Sequence, residues 1–558
     1  MSAGSLDKTF NSPNGFLTNI FSGTSASATG VSINTDGTII VSAQYTTDTE
    51  SQLLLAKYKV NGTLDTNTFG SGAGFITKSL VAGYATIGGQ NTIDNDGNIL
   101  VCGGLEIDNS GVKNMYVAKF LPDGSLDTNT FGSGAGFVQR TFYTGKDTFA
   151  VYIKLDNNNK IVVCGTTIDN DDIQHIFVAR YNSDGSPDIS FGNSNGYFII
   201  PLVTSGKDMA PTGFIFDNNN ILVIGFSDPS DQKLYLGRLL PVGKYDDSFG
   251  ANTGYITTNF GTLGSIGFSL VVDSGKYLVL ASVSSVDVGT GTLILSRFLS
   301  NGDLDDSFGK NGYVTIKKDC VNDSAFYKIN YDLNGKLMIC GTIVTNTVIN
   351  TTIMLTLWTK NGVLDTSFGT DGFVYSNISG ISGQNVFSDF VIDSNNNIVV
   401  LGAVFNSGIP SLLLARYIGE PIIEPICLPA GTPILTDQGL VAIEKIDTKK
   451  HTINHKRIVA ITKTITPEKH LVCFEANSMG INCPSMRTLM TPGHEVLYKG
   501  KLVQSKHFVG RVEGVHTVPY NGKDVLYNVL QEQHGLMRVN NMVLETLHPE
   551  NKVAKTHF

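Results

Sequence analysis

Closely spaced cysteine pairs are missing: the chain has seven cysteines in 558 residues, an odd number, scattered along its length. That excludes a disulfide-stapled scaffold and fits reducing surroundings. No run of about 18 apolar residues occurs, so no membrane span is expected. Residues 1–8 lack the basic-then-apolar order of a secretory signal, and none is expected. Histidine is nearly absent from the first three quarters, where His175 stands alone before residue 427. Dense Lys/Arg runs are also lacking: the net charge of -9 divides into -14 over residues 1–426 and +5 over 427–558. Nucleic acid is therefore not expected as a partner. Charged residues are only 16% of the chain, while glycine reaches 60 residues. Such a composition favours many turns and short strands, an all-β chain of two or more packing units.

What is present in quantity is repetition. Leu6-Asp7…Phe10 returns as Leu64-Asp65…Phe69-Gly70, Leu126-Asp127…Phe131-Gly132, Pro187-Asp188…Phe191-Gly192, Tyr245-Asp246…Phe249-Gly250, Leu304-Asp305…Phe308-Gly309 and Leu364-Asp365…Phe368-Gly369. Each of the seven copies continues with an apolar segment, an Asn/Asp/Gly turn, a β run such as Ile161-Val162-Val163-Cys164, and a second such as Val178-Ala179-Arg180-Tyr181. Apolar runs between glycine-bearing turns read as strands buried on both faces. Repeats of about sixty residues with three or four strands are the blades of a propeller. The expectation is a seven-bladed β-propeller over 1–418, each blade drawn from contiguous sequence. The hallmark Asn301-Gly302-Asp303-Leu304-Asp305-Asp306-Ser307-Phe308-Gly309 resembles that of the delta-60 β-propeller repeat family, a resemblance that speaks for the fold and says little of activity.

The recurring Asp could ring a metal ion, but an Asp two residues into a turn more simply accepts backbone N–H bonds and sets the turn. The recurring Lys/Arg, replaced by Leu357 in the sixth copy, is expected to pair with turn carboxylates of an adjacent blade. Cys102, Cys164 and Cys340 share one repeat position with Ser42, Ile224, Leu280 and Leu401 and read as small core fillers. No metal and no cofactor are expected, and no non-repeat ligand cluster marks an active site in the propeller. Its ligand is expected to be a protein or a glycan.

The repeat stops after Tyr417. Residues 419–426 form a proline-bearing linker, with Pro421 and Pro425 keeping the chain extended. Beyond it stand nine of the ten histidines, among short β runs such as Val525-Leu526-Tyr527-Asn528-Val529-Leu530. Residues 427–558 read as a compact all-β domain. Two constellations stand out: Cys427 followed by Leu-Pro-Ala-Gly-Thr-Pro, and Thr491-Pro492-Gly493-His494, whose turn can carry a hydroxyl and an imidazole to one side. Together they resemble the Hint (hedgehog/intein) family of self-processing domains. The tail Asn540-Asn541-Met542-Val543-Leu544-Glu545-Thr546-Leu547-His548-Pro549 is similar to Hint domains of giant-virus proteins.

The resemblance implies a cis-acting cysteine autoprotease. Cys427 would attack the carbonyl of Ile426 in an N-to-S acyl shift, with His494 as general acid and Thr491 polarising the scissile amide. The substrate is the chain's own N-terminal segment, and resolution of the thioester would release the propeller. Because the chain ends Lys555-Thr556-His557-Phe558, without the His-Asn ending of splicing inteins or room for a sterol-recognition segment, cleavage without splicing is expected. His534 and His548 read first as structural histidines and second as activators of thioester resolution. A cytoplasmic or virion-associated location is expected. The alternative is a binding or structural propeller, as of a virion or surface, with an inactive Hint domain.

Overall fold

The computed structural model describes residues 2–19, 21, 25–48, 50–203, 207–227, 233–260, 264–273, 275–284, 291–321, 327–344, 351–378, 384–406, 409–422, 426–464 and 469–547. Within them the chain is all-β, with four short 3-10 turns and no α-helix. No helix among the described residues is long and apolar enough to cross a membrane. The chain divides into two compact units, 1–422 and 423–558.

The first unit holds seven four-stranded antiparallel sheets, one per repeat. In the third blade, for example, Thr148–Leu155, Ile161–Ile168, Gln174–Tyr181 and Tyr197–Ile199 follow one another across the sheet. The second strand of every blade carries the apolar run read from the sequence, and its residues are buried on both faces, as at Ile161, Val162, Val163 and Cys164. Cores form between successive blades: Cys102 and Val117 of the second blade pack with Val163 and Phe177 of the third. This double burial is why no face of these strands is polar. Cys102, Cys164 and Cys340 are fully buried, as fillers should be, and burial pushes their thiols well above the ordinary range.

Ring closure departs from the contiguous-blade expectation. The last sheet combines Asn385–Ile392, Ile398–Asn406 and Ile409–Tyr417 with Phe16–Asn19 from the beginning of the chain. Phe16 lies opposite Ala415 and Asn19 opposite Leu412. The cause is a one-strand offset between sequence repeat and blade. In every copy the apolar segment after Phe-Gly pairs backward, onto the strand preceding the Leu-Asp turn, as Tyr197–Ile199 does on Gln174–Tyr181. The first copy has no preceding strand, so its segment completes the seventh blade.

The recurring Asp and Lys/Arg explain each other. Arg180 Nε lies 2.7 Å from Asp188, Arg238 Nε 2.8 Å from Asp246, Arg297 Nε 2.8 Å from Asp305, and Arg416 Nε 2.8 Å from Asp7. Lys57 and Lys119 face Asp65 and Asp127 at 3.6 and 3.7 Å. Where Leu357 replaces the base, Lys336 supplies the cation to Asp365. Each Asp also caps its own turn, Asp188 accepting from the Ser190 backbone at 3.1 Å. The carboxylate partner is thus in the same blade, not the adjacent one. The neighbouring blade is reached instead through backbone carbonyls, Arg180 to Pro241 at 2.7 Å and Arg416 to Val60 at 2.6 Å. The guanidinium planes also cover the hallmark Phe rings, Arg180 over Phe191 at 4.8 Å and Arg416 over Phe10 at 4.8 Å. With its cation and its turn N–H groups in place, each Asp is spent on structure.

The second unit is built from three sheets around Leu428, Ile434, Ile443, Val472, Phe474, Met490, Val529 and Leu544, all fully buried. One sheet joins Leu428–Pro429, Leu526–Gln531, Lys456–Thr464 and Thr452–Ile453; another joins Thr488–Met490, His470–Phe474 and Val515–Pro519. The first holds the chain just after Cys427, and the second leads directly into Thr491.

Candidate active site

Antiparallel pairing of Leu428 with Tyr527 and Pro429 with Leu526 fixes the entry of the chain into the second unit. One residue upstream, the Cys427 amide nitrogen donates to Thr491 Oγ1 at 2.7 Å, and the Thr491 backbone N–H returns a bond to the Cys427 carbonyl at 3.0 Å. The Thr491 hydroxyl lies 3.3 Å from that same carbonyl. Two residues 64 positions apart in sequence are thereby clamped together.

The Thr-Pro-Gly-His segment is a tight turn closed by the His494 N–H on the Thr491 carbonyl at 3.1 Å. Ser505, fully buried, staples it: its hydroxyl donates to the Thr491 and Pro492 carbonyls at 2.9 and 3.0 Å, and its N–H to the His494 carbonyl at 2.8 Å. His494 has no exposed surface, and among the described residues neither ring nitrogen has a hydrogen-bond partner. Burial pushes its pKa down to about 3, with a smaller opposing pull from the Glu495 backbone, so the imidazole is neutral at neutral pH. An unpartnered buried imidazole is costly, which singles this residue out from a packing histidine.

Cys427 is also buried, its thiol packed against Leu471 and Leu526 with Leu489, Val518 and Tyr520 around them. Burial raises the thiol pKa to about 12. Ile426 is half-buried against Leu530 and Leu547.

Asn528 is the residue that sequence reasoning missed. It falls next to the Leu428–Tyr527 pair, and its side-chain amide donates to the Ile426 carbonyl oxygen. Both ends of the Ile426–Cys427 peptide bond are therefore held, the oxygen by Asn528 and the N–H by Thr491. The signal was a lone polar residue inside the apolar run Leu526 to Leu530, where Asn528 is only 1% exposed.

Of the two further histidines, His534 Nε2 lies 3.1 Å from Glu545 Oε2, while Glu545 Oε1 accepts the Glu495 N–H at 3.0 Å. His548 lies outside the described residues. His175, in the propeller, pairs with Asp169 at 2.8 Å. Among the described residues Cys473, Glu475 and His516 converge closely enough to hold a metal ion. Arg487 already supplies a cation there, 3.2 Å from the Cys473 sulfur and 3.3 Å from Glu475.

Comparison with known proteins fits this division. The Hint domain model matches residues 426–551. The β-propeller domain of unknown function DUF5122 matches 35–67, 95–129 and 157–191. No curated protein matches the chain. Among solved structures, a catalytically inactive virginiamycin B lyase from Staphylococcus aureus is 11% identical, with 72% of this chain and 98% of that chain covered and a TM-score of 0.41. Drosophila Semaphorin 2a is 8% identical, with 98% of each chain covered and a TM-score of 0.39. The chain is a seven-bladed β-propeller joined to a Hint domain.

Proposed function

We propose that the Hint domain cleaves the Ile426–Cys427 bond in cis and releases the propeller. The observation that carries this reading is the double grip on one peptide bond, Asn528 on its carbonyl oxygen and Thr491 on its N–H. The same two bonds that satisfy this amide put a donor on the oxygen that gains charge during attack and an acceptor on the nitrogen that leaves.

The chemistry follows from these positions. The Cys427 sulfur attacks the Ile426 carbonyl carbon through a five-membered ring, with proximity supplied by the covalent chain itself. As the carbonyl carbon becomes tetrahedral its oxygen gains negative charge, and the Asn528 amide already points at it. The C–S bond forms, the C–N bond breaks, and the thiol proton ends on the Cys427 nitrogen. Thr491 holds the N–H on one side, leaving the other face of the nitrogen for that proton. His494, neutral and dry, is the group suited to carry it.

Burial disfavours the charged form of both groups, raising the thiol pKa and lowering that of the imidazole, which opposes a preformed thiolate–imidazolium pair. Proton movement is accordingly coupled to attack. Water then breaks the thioester, placing hydroxyl on Ile426 and a proton on sulfur.

The test is expression of the full chain beside Cys427→Ala, followed by intact-mass measurement with and without a small thiol. The reading expects thiol-accelerated appearance of fragments 1–426 and 427–558 from the wild type and an intact variant. A wild-type chain that stays whole under both conditions identifies the Hint domain as an inert appendage of a binding or structural propeller.

A further inference from the structure

The first strands of all seven blades surround a cavity of about 290 Å³ on the propeller axis. Six of these strands carry a β-bulge at equivalent places, between Ala28 and Gly30, Gly88 and Asn91, Ala150 and Tyr152, Pro211 and Gly213, Gly267 and Ser269, and Phe387 and Asp389. Bulges re-aim the side chains that follow them.

The residue that follows is where the repeats stop resembling one another. Its neighbour on the second strand is small or apolar in every copy: Ser42, Cys102, Cys164, Ile224, Leu280, Cys340 or Leu401. The axial position holds glycine in blades one and four, and Gln90, Tyr152, Ser269, Lys328 and Asp389 in the others. A common fold imposes a common residue where packing decides. Divergence at one position of a sevenfold repeat gives the shared cavity an asymmetric lining.

The charges define its occupant. Asp389 is fully engaged: Lys328 Nζ and the Phe390 N–H meet one oxygen at 2.6 and 2.8 Å, Gln90 and the Val31 N–H the other at 3.2 and 3.4 Å. Lys328 is thereby compensated. Lys154, also in the lining, has no hydrogen-bond or ion-pair partner among the described residues. It is reached by solvent yet walled in by protein, the situation of a side chain standing in a lumen. Desolvation and the charge of Lys328 lower its pKa, and Asp389 opposes them. The cavity thus contains one uncompensated positive charge. The Ser269 hydroxyl and the Tyr152 phenol, also in the lining, likewise make no hydrogen bond to described residues.

We propose that the axial cavity binds a small molecule with one carboxylate and several hydroxyl groups, of the sugar-acid class, with Lys154 meeting the carboxylate. A monoanion matches the single spare ammonium, and hydroxyls match the unpaired phenol and serine. The volume, at the low end of ligand pockets (roughly 300–1,000 Å³), suits a single ring rather than a polymer segment. The site belongs to the propeller alone and stands apart from the cleavage chemistry.

The test is calorimetric titration of the full chain with sodium D-glucuronate, D-glucose, sodium acetate and inorganic phosphate. Glucuronate is expected to bind at least tenfold more tightly than glucose, which lacks the charge, and than acetate or phosphate, which lack the ring. Lys154→Met should weaken glucuronate about tenfold to hundredfold, while Lys154→Arg should retain most of the binding; circular dichroism checks that both variants fold. The proposal is overturned if glucuronate does not bind, if glucose, acetate or phosphate binds as tightly, or if folded Lys154→Met binds like the wild type. Should Lys154→Met fail to fold, the wild-type ranking of the four probes decides by itself.

Discussion

The Thr491 hydroxyl stands 2.7 Å from the amide nitrogen of Cys427, across the peptide bond from the carbonyl held by Asn528. If both grips serve bond cleavage, they should fail separately. Asn528→Ala should slow thioester formation about 100- to 1,000-fold, the usual effect of losing one oxyanion donor. Thr491→Ala should slow it about tenfold to hundredfold, with Thr491→Ser restoring most of the rate. Single-turnover cleavage with excess nucleophile measures all three, and unchanged rates would reduce both residues to packing.

The pH profile of that first step should be flat from about pH 5 to pH 9. Throughout this window the Cys427 thiol, with a pKa of about 12, keeps its proton, and His494, with a pKa of about 3, stays neutral. The ionisation state that reacts is therefore constant. An unperturbed thiol and imidazole would bend the profile near their ordinary values of about 8.5 and 6.5. A bell centred inside the window contradicts the buried, uncharged resting site.

Acid should destabilise the Hint domain through His494. Its folded pKa lies below the ordinary value, so between about pH 6.5 and pH 3 the unfolded state binds a proton that the folded state does not. Stability then falls as pH falls, by about 1.4 kcal/mol per pH unit in that range. Denaturant titrations of Cys427→Ala at several pH values, compared with Cys427→Ala/His494→Gln, should show the slope in the first and a weaker slope in the second.

In the propeller, Arg416→Ala should be far more damaging than loss of an exposed charge. Arg416 is buried, bonds Asp7 across the ring closure, covers Phe10 and reaches the Val60 carbonyl. Breaking such a pair costs about 3–5 kcal/mol. Lys450→Ala, which removes an exposed partner of Asp447, should leave stability almost unchanged. Thermal unfolding of both variants checks the contrast.

The blades were legible because each repeats the same buried strand and the same Leu-Asp…Phe-Gly turn, so a pattern invisible in one copy is plain in seven. Closure by Phe16–Asn19 was not, since a one-strand offset between repeat and sheet leaves the sequence period unchanged. At the site, Cys427, Thr491 and His494 were found through motifs, and the structure joins the first two directly. It places His494 in the same stapled turn, with no hydrogen bond from its imidazole to either among the described residues. Asn528 and Ser505 carry no motif: they act by lying opposite Ile426 and beneath the Thr491 turn, relationships set by strand pairing. The axial charges escaped notice because Lys154, Lys328 and Asp389 sit on the first strands of three different blades, which only the closed ring brings round one cavity.

Hydroxylamine tests the central claim most directly, because it attacks a thioester and not an amide. Treated wild-type chain should yield a 1–426 fragment bearing a hydroxamate on Ile426 together with a 427–558 fragment beginning at Cys427, and Cys427→Ala should yield neither. Cleavage of both chains alike, or a propeller fragment ending elsewhere than at Ile426, would contradict the account.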